Sequence, residues 1–233
     1  MIYAGILAGG QGTRLESANL PKQFLKIGGI PIIIRTIRTF LSVQQIDKVI
    51  VAMNPDWIDY CEVLFSEYQI DMNKIVLIEG GKTRFDSLVN IAKEAEKTCE
   101  EEAILLTHDC VRVFVTPKII LDNIKAMSEY LAVTTAVPMI DTVFVSEDSN
   151  ICNDVPNRSE LFSGQSPQTC KVKQFLELVE SLEPDERLKY MEIGKLYIDK
   201  KIEFAIVPGD RNNFKITTDF DLKYAEFILS TIE

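Results

Sequence analysis

Short β-branched apolar runs alternate along this chain with stretches of helical periodicity, and that alternation admits few folds. The runs that read as strands are Ile2–Leu7, Lys48–Met53, Lys74–Ile78, Ala103–Thr107, Val133–Val137 and Ile202–Val207. Helical periodicity occupies about Ile32–Leu41, Pro55–Tyr68, Thr83–Thr98, Pro117–Glu129, Lys171–Leu182 and Asp219–Ser230. Strands that are apolar throughout bury both faces, and the intervening helices supply the cover. The expectation is an α/β, Rossmann-like fold of three layers, with a largely parallel central sheet and helices on both faces. Such sheets take ligands in the crevice beyond the carboxyl ends of their strands.

Neither a low-complexity segment nor an internal repeat interrupts the pattern, so residues 1–233 read as one domain. One stretch departs from it. Pro138 to Gln168 carries the alternating Asp141-Thr142-Val143-Phe144-Val145-Ser146, then turn residues and Pro156-Asn157-Arg158. It reads as a protruding β-arm at about 139–165, suited to touching a second subunit or closing over a substrate.

Net charge of −10 argues against a phosphate-neutralising surface for long nucleic acids. A few cations in a cleft can still hold a small anion against that global field. No apolar run is long enough to span a membrane, and Met1-Ile2-Tyr3-Ala4 lacks the basic start of a signal peptide. The five cysteines are scattered, with neither metal spacing nor an even disulfide framework, which fits a reducing, cytoplasmic compartment.

Chemistry concentrates at the ends of the strands. After the first comes Leu7-Ala8-Gly9-Gly10-Gln11-Gly12-Thr13-Arg14. Its glycines let consecutive backbone N–H groups converge on a phosphate, and Arg14 adds a forked permanent cation. It is neither the dehydrogenase fingerprint nor a Walker A loop, because the final glycine of the one and the Gly-Lys-Ser/Thr of the other are missing. Pro21 then stiffens the approach to Lys22, a mobile point charge. Gly80-Gly81-Lys82-Thr83-Arg84-Phe85-Asp86-Ser87 closes another strand, with Thr83 placed to cap a helix. His108 is the single histidine; following a strand, it reads as a residue that fixes a turn rather than as a general base. Asp109 beside it can hold Mg²⁺ or accept from a polyol hydroxyl. Asp210, after Pro208-Gly209, is a second candidate carboxylate for the metal, against its ordinary role in a turn.

Leu7–Gly10 through Lys22-Gln23-Phe24-Leu25 resembles the sugar-phosphate nucleotidyltransferase superfamily. His108-Asp109-Cys110-Val111-Arg112 and Asn213-Phe214-Lys215-Ile216-Thr217-Thr218 look like its cytidylyltransferase branch, which acts on methylerythritol and ribitol phosphates. The opening decapeptide, Asp154–Arg158 and Gly164–Thr169 resemble the ribitol-phosphate group more closely. The resemblance runs from residue 1 to about residue 230.

It implies CTP and a polyol phosphate as substrates, Mg²⁺ as cofactor, and a homodimer formed through the arm. It further implies that Arg14, Lys22 and Lys215 stabilise the reacting phosphates. Leu7, Ala8, Gly9, Gly10, Gly12, Thr13, Gly80, Gly81, Arg84, Ser87 and Asp109 would hold the nucleotide. Arg112, Thr142, Arg158 and Ser166 would hold the acceptor, with Thr142 and Arg158 coming from the neighbouring subunit. The sequence departs from the family at Val113, at Cys110 and at Met191–Gly194, where Glu192 stands in a segment expected to read Thr-Asp-Ala.

Overall fold

The computed structural model describes residues 1–10, 20–99 and 102–232. In chain order its strands are β1 (Ile2–Leu7), β2 (Lys26–Ile27), β3 (Ile30–Pro31), β4 (Lys48–Met53), β5 (Ile75–Glu79), β6 (Ile104–Asp109), β7 (Ala132–Pro138), β8 (Phe162–Lys171) and β9 (Ala205–Pro208). The helices are α1 (Ile32–Leu41), α2 (Ile58–Glu67), α3 (Arg84–Glu96), α4 (Pro117–Ala126), α5 (Val172–Glu180), α6 (Pro184–Arg187), α7 (Ile193–Asp199) and α8 (Asp219–Ile232).

Seven strands form one sheet in the order β5-β4-β1-β6-β8-β7-β9, and β8 alone runs against the others. Side chains along β4 alternate strictly between the two faces. Val49, Val51 and Met53 join the core under α1, α2, α4 and α8, while Ile50 and Ala52 join the core under α3, α5 and α7. Two buried faces therefore explain why this strand is apolar at every position after Lys48. Gly5 on β1 lies where an added Cβ would come within 2.6 Å of Ile91, so α3 packs close on the sheet only because no side chain stands there.

The chain builds outward from β1 through β4 to β5, then returns to place β6 on the other side of β1. The strand order thus reverses between β1 and β6, the position where open α/β sheets form a ligand crevice.

The turn Ile27-Gly28-Gly29-Ile30 joins β2 to β3, with φ of 55° and 73° at its two glycines. A two-residue hairpin of this hand needs positive φ at both central positions, which glycine adopts without strain.

β8 differs from the expected arm. Phe162, Ser163, Gly164 and Gln165 belong to the main sheet, with Phe162, Ser163 and Gly164 paired to Pro138, Val137 and Ala136 of β7, so the arm proper covers 139–161. Its sequence, Phe-Ser-Gly-Gln-Ser-Pro-Gln-Thr-Cys-Lys, hides the strand because polar groups fill its core positions. Register shifts between Thr134 and Ala136, and Pro167 has no N–H to give. Hydroxyls make good the loss: Thr135 donates to the Pro167 carbonyl (2.8 Å) and Thr107 to the Gln168 carbonyl (3.0 Å). Buried Asn123 and Thr169 complete that network.

The arm itself contains one antiparallel bridge, Val145 to Asp154, and is closed at its base by Met139 N–H on the Leu161 carbonyl. Residues Ile202–Phe204, expected as strand, instead form the exit from α7, where Lys201 takes φ of 58°. Among the described residues no helix is long and apolar enough to cross a membrane.

Candidate active site

A cleft of about 300 Å³ opens at the carboxyl ends of β1 and β6. Leu7–Gly10 form one wall, held by Ala8 N–H on the Ala52 carbonyl and by Cys110 N–H on the Leu7 carbonyl. Gly80, Gly81 and Ser87 shape a second wall. Gly80 N–H donates to the Met53 carbonyl, Gly81 N–H donates to Ser87 Oγ (2.9 Å), and Ser87 Oγ donates onward to the Thr83 carbonyl (3.0 Å). An added Cβ at Gly81 would lie 2.7 Å from the Asp86 carbonyl carbon. Thr83 caps α3 in a reciprocal pair with Asp86, aiming the amino end of that helix at the cleft.

Lys22 enters from a one-turn 3₁₀ helix over Lys22–Phe24. Its neighbours fix it: buried Gln23 donates to the Ala8 carbonyl (2.8 Å), and Phe24 packs edge-on against Tyr60 and tilted on Trp57. Lys215 arrives from the loop before α8, where Ile216 N–H donates to the Val111 carbonyl. Asp221 then accepts from the N–H groups of Thr217 and Thr218 and starts that helix.

Asp109 is the electrostatic centre. Its Oδ1 accepts from Arg84 Nε (3.2 Å) and Nη2 (3.0 Å); its Oδ2 accepts from Lys215 Nζ (3.0 Å), and Arg112 Nε lies 3.6 Å away. Burial works to raise its pKa, but the charges of Arg84, Lys215 and Arg112 override it and hold the carboxyl well below the usual carboxylate range. Three cations thus converge on one carboxylate, with Lys22 and Lys82 on the same cleft. The local balance is strongly positive within a chain of net charge −10.

Behind Asp109 lies a directional hydrogen-bond chain. The Arg112 carbonyl can only accept, so it takes the Nε2 proton of His108 (3.1 Å). His108 Nδ1 is then an acceptor for Ser166 Oγ–H (2.9 Å), and Ser166 Oγ receives the Asp109 N–H (3.1 Å). Burial pushes the His108 pKa down to about 4, so the ring is neutral and locked in one tautomer.

A second hollow of about 470 Å³ adjoins the cleft and shares Arg84, Asp109 and Lys215 with it. Arg112 lies on this side, its Nη1 donating to the Asn213 carbonyl (2.9 Å).

This site occupies a chain whose residues 2–231 match a family model described as IspD: 2-C-methyl-D-erythritol 4-phosphate cytidylyltransferase. The chain belongs to that family. Curated relatives include ribitol-5-phosphate cytidylyltransferases of Streptococcus pneumoniae, from strain CGSP14 and from serotype 2 strain D39. Each is 40% identical over 98% of this chain and 99% of its own length. Among solved structures, 4-diphosphocytidyl-2C-methyl-D-erythritol synthase from Anaerococcus prevotii superposes with TM-score 0.79 at 27% identity, covering 98% of this chain and 96% of that one. The Francisella tularensis 2-C-methyl-D-erythritol 4-phosphate cytidylyltransferase gives 0.80 at 26%, covering 97% and 98%. The α/β fold, the parallel majority of its sheet and the covering helices agree with the sequence expectation.

Leu7, Ala8, Gly9, Gly10, Lys22, Gly81, Arg84, Ser87, Asp109 and Lys215 line the cleft together, with Gly80 directly behind Gly81. Gly12, Thr13 and Arg14 lie outside the described residues. Ser87, expected to reach the nucleotide, spends its hydroxyl on Gly81 and Thr83 and so shapes the loop. Ser166, expected at the acceptor, is buried beneath Asp109. Thr142 and Arg158 stand exposed on the arm and line neither hollow; Arg158 Nη1 donates to the Ile140 carbonyl.

Asp210 is not brought to Asp109. It lines a separate hollow with Phe114 and Leu229, and its carboxylate accepts from Asn212 N–H in a tight turn. Among the described residues, Asp109 is the only carboxylate lining the cleft and no group of three potential metal ligands occurs. That donor set suits Mg²⁺ arriving on nucleotide phosphates rather than a resident ion in a protein cage. Sequence reading missed Lys82 on the cleft and Gln165, Gln168 and Lys189 on the second hollow. Lys82 lay within the Gly80–Ser87 motif and the two glutamines within Gly164–Thr169, whereas nothing local marks Lys189.

Proposed function

We propose that the protein transfers CMP from CTP to D-ribitol 5-phosphate, giving CDP-ribitol and pyrophosphate. The observation that carries this reading is the cation cluster around Asp109, in a chain 40% identical over nearly its whole length to ribitol-5-phosphate cytidylyltransferases. The acceptor's phosphate oxygen attacks the α-phosphorus of CTP and pyrophosphate leaves in line. A phosphate monoester is already anionic, so a strong general base is unnecessary, in keeping with a buried, neutral His108. The barrier comes instead from bringing two anions together and from charge growing on the leaving group. Lys22 and Lys215, with Arg14, answer it by charge placed in advance. Asp109 keeps Arg84, Arg112 and Lys215 grouped until phosphates take over their hydrogen bonds.

Mg²⁺ carried on the triphosphate and met by Asp109 would supply further charge neutralisation for the leaving pyrophosphate. The arm pairs two subunits and delivers Thr142 and Arg158 to the neighbouring acceptor site, and exposed Ile140, Phe144, Ile151 and Val155 supply its apolar contact. In this reading the enzyme works in the cytoplasm and supplies an activated polyol for a wall or capsule polymer such as teichoic acid. The name of the family model and those of the solved structures favour a second acceptor, 2-C-methyl-D-erythritol 4-phosphate, with the same chemistry.

Pyrophosphate release from CTP and Mg²⁺, with each acceptor in turn, separates the two. Release with ribitol 5-phosphate alone supports the proposal. Release with the methylerythritol ester alone replaces the acceptor but keeps the mechanism. Release with neither, while CTP still binds by calorimetry, leaves a catalytically silent CTP-binding protein.

A further inference from the structure

The second hollow contains a carboxylate that the transfer chemistry leaves unused. Glu192 stands at the start of α7, yet its side chain makes no capping hydrogen bond to that helix. Its Oε2 instead accepts from Gln168 Nε2 (3.1 Å). Gln168 is itself 5% exposed and fixed in orientation. Its Oε1 accepts from the main-chain N–H of Ile193 (3.2 Å), a group that can only donate, so the amide cannot turn over. The NH₂ must therefore face Glu192, and it holds Glu192 Oε2 while Glu192 Oε1 takes no protein donor among the described residues.

Neighbouring cations do not take that oxygen. Lys195, on the same hollow, gives its ammonium to both oxygens of Asp199 (2.7 and 2.9 Å). Arg84 spends Nη1 on the Met191 carbonyl (2.5 Å) while its other nitrogens grip Asp109. That bond ties the segment carrying Glu192 to the group that organises the phosphate cations. An acceptor whose phosphate meets Arg84 and Lys215 at the junction of the two hollows has its carbon chain in the second one.

Resting on the proposed polyol-phosphate reading, the geometry points to Glu192 as the residue that reads the acceptor's hydroxyls, with Gln168 as its positioning residue. An ionised carboxylate oxygen accepts strongly from hydroxyl donors, and two adjacent hydroxyls of a linear polyol can share it. A methyl branch offers no donor there and meets a charged wall instead. Glu192 thus selects for an unbranched, fully hydroxylated chain.

Steady-state kinetics on the full-length protein test this with ribitol 5-phosphate, erythritol 4-phosphate and 2-C-methylerythritol 4-phosphate as probes. Glu192→Gln keeps the shape but loses the charge. We expect KM for the best linear polyol phosphate to rise about tenfold or more, the scale of one hydrogen bond to a charged group. KM for CTP should hold, preference over the branched ester should shrink, and Glu192→Asp should restore part of the loss. A merely structural role would instead raise both KM values together and lower Tm. Unchanged acceptor KM and selectivity in a folded Glu192→Gln protein overturn the inference while leaving the proposed function standing. If wild type releases pyrophosphate only with the branched ester, or with no acceptor, the inference and the polyol reading beneath it both fail.

Discussion

His108 is the chain's single histidine, so its titration can be followed with no other imidazole in view. In the unfolded chain its ring takes a proton near its ordinary value of 6.5, whereas burial lowers the folded value to about 4. Between those limits the unfolded state binds more protons than the folded one, so stability rises with pH. The contribution is complete above about pH 6.5 and is lost progressively as pH falls toward 4. Across that interval it amounts to about 3 kcal/mol, at 1.36 kcal/mol for each pH unit. Ordinary carboxylates begin to titrate near its lower end, which leaves pH 5 to 6.5 as the diagnostic range. Guanidinium unfolding across that range should give a slope approaching 1.36 kcal/mol per pH unit for wild type and a flatter one for His108→Gln. NMR of the lone imidazole gives the direct check, since its ring protons should not shift between pH 7 and 5. A ring that titrates near 6.5 in the folded protein would refute the reasoning, and equal slopes in the two proteins would do the same. Protonation of the ring would turn Nδ1 from the acceptor of Ser166 Oγ–H into a donor, directly beneath the Asp109 N–H.

Lys22→Ala should lower turnover by roughly 10²–10³, the scale of losing one preorganised charge-stabilising group, with an unchanged circular dichroism spectrum; wild-type rates in the folded variant would exclude the mechanism. Asp109→Asn leaves Arg84, Arg112 and Lys215 crowded without an opposing charge and should cost about 2–3 kcal/mol, discounted for the partial exposure of Arg84 and Lys215. Thermal denaturation reads that loss, and CTP should raise Tm more in this variant than in wild type. Gly81→Ala forces a methyl into the Asp86 backbone and should cost about 1–3 kcal/mol while raising KM for CTP. If the arm delivers Arg158 to the neighbouring subunit, mixing inactive Lys22→Ala and Arg158→Ala chains should recover activity; light scattering that finds only monomers rules this out.

How much of this was legible in the chain depends on the range of the interactions involved. Period-two and period-3.6 patterns are local, so β1, β4 and α1 could be read to the residue, as could the Thr83 cap of α3. The first glycine turn, Lys22 shortly after it and Asp109 at a strand end carry their chemistry locally, whereas Gly81 and Lys215 were named through the family resemblance; all of them line one cleft with Gly9. β8 could not be read. Its core positions hold Gln165, Ser166, Gln168 and Thr169, and what makes them strand residues is a set of partners 24 to 61 positions away. For the same reason, Asp210 looked like a companion to Asp109 until the fold put the two in different hollows. Ser166 looked like a ligand-binding hydroxyl until the fold buried it between the Asp109 N–H and His108, whereas Ser87 lines the cleft and also braces its own loop. Residue type and spacing by themselves determined the layered sheet and the kind of chemistry at its strand ends, because both rest on near neighbours. Which side chains face the substrate, and which hold those that do, was decided only by tertiary structure, since each hydrogen-bonding group has few partners and the fold alone assigns them.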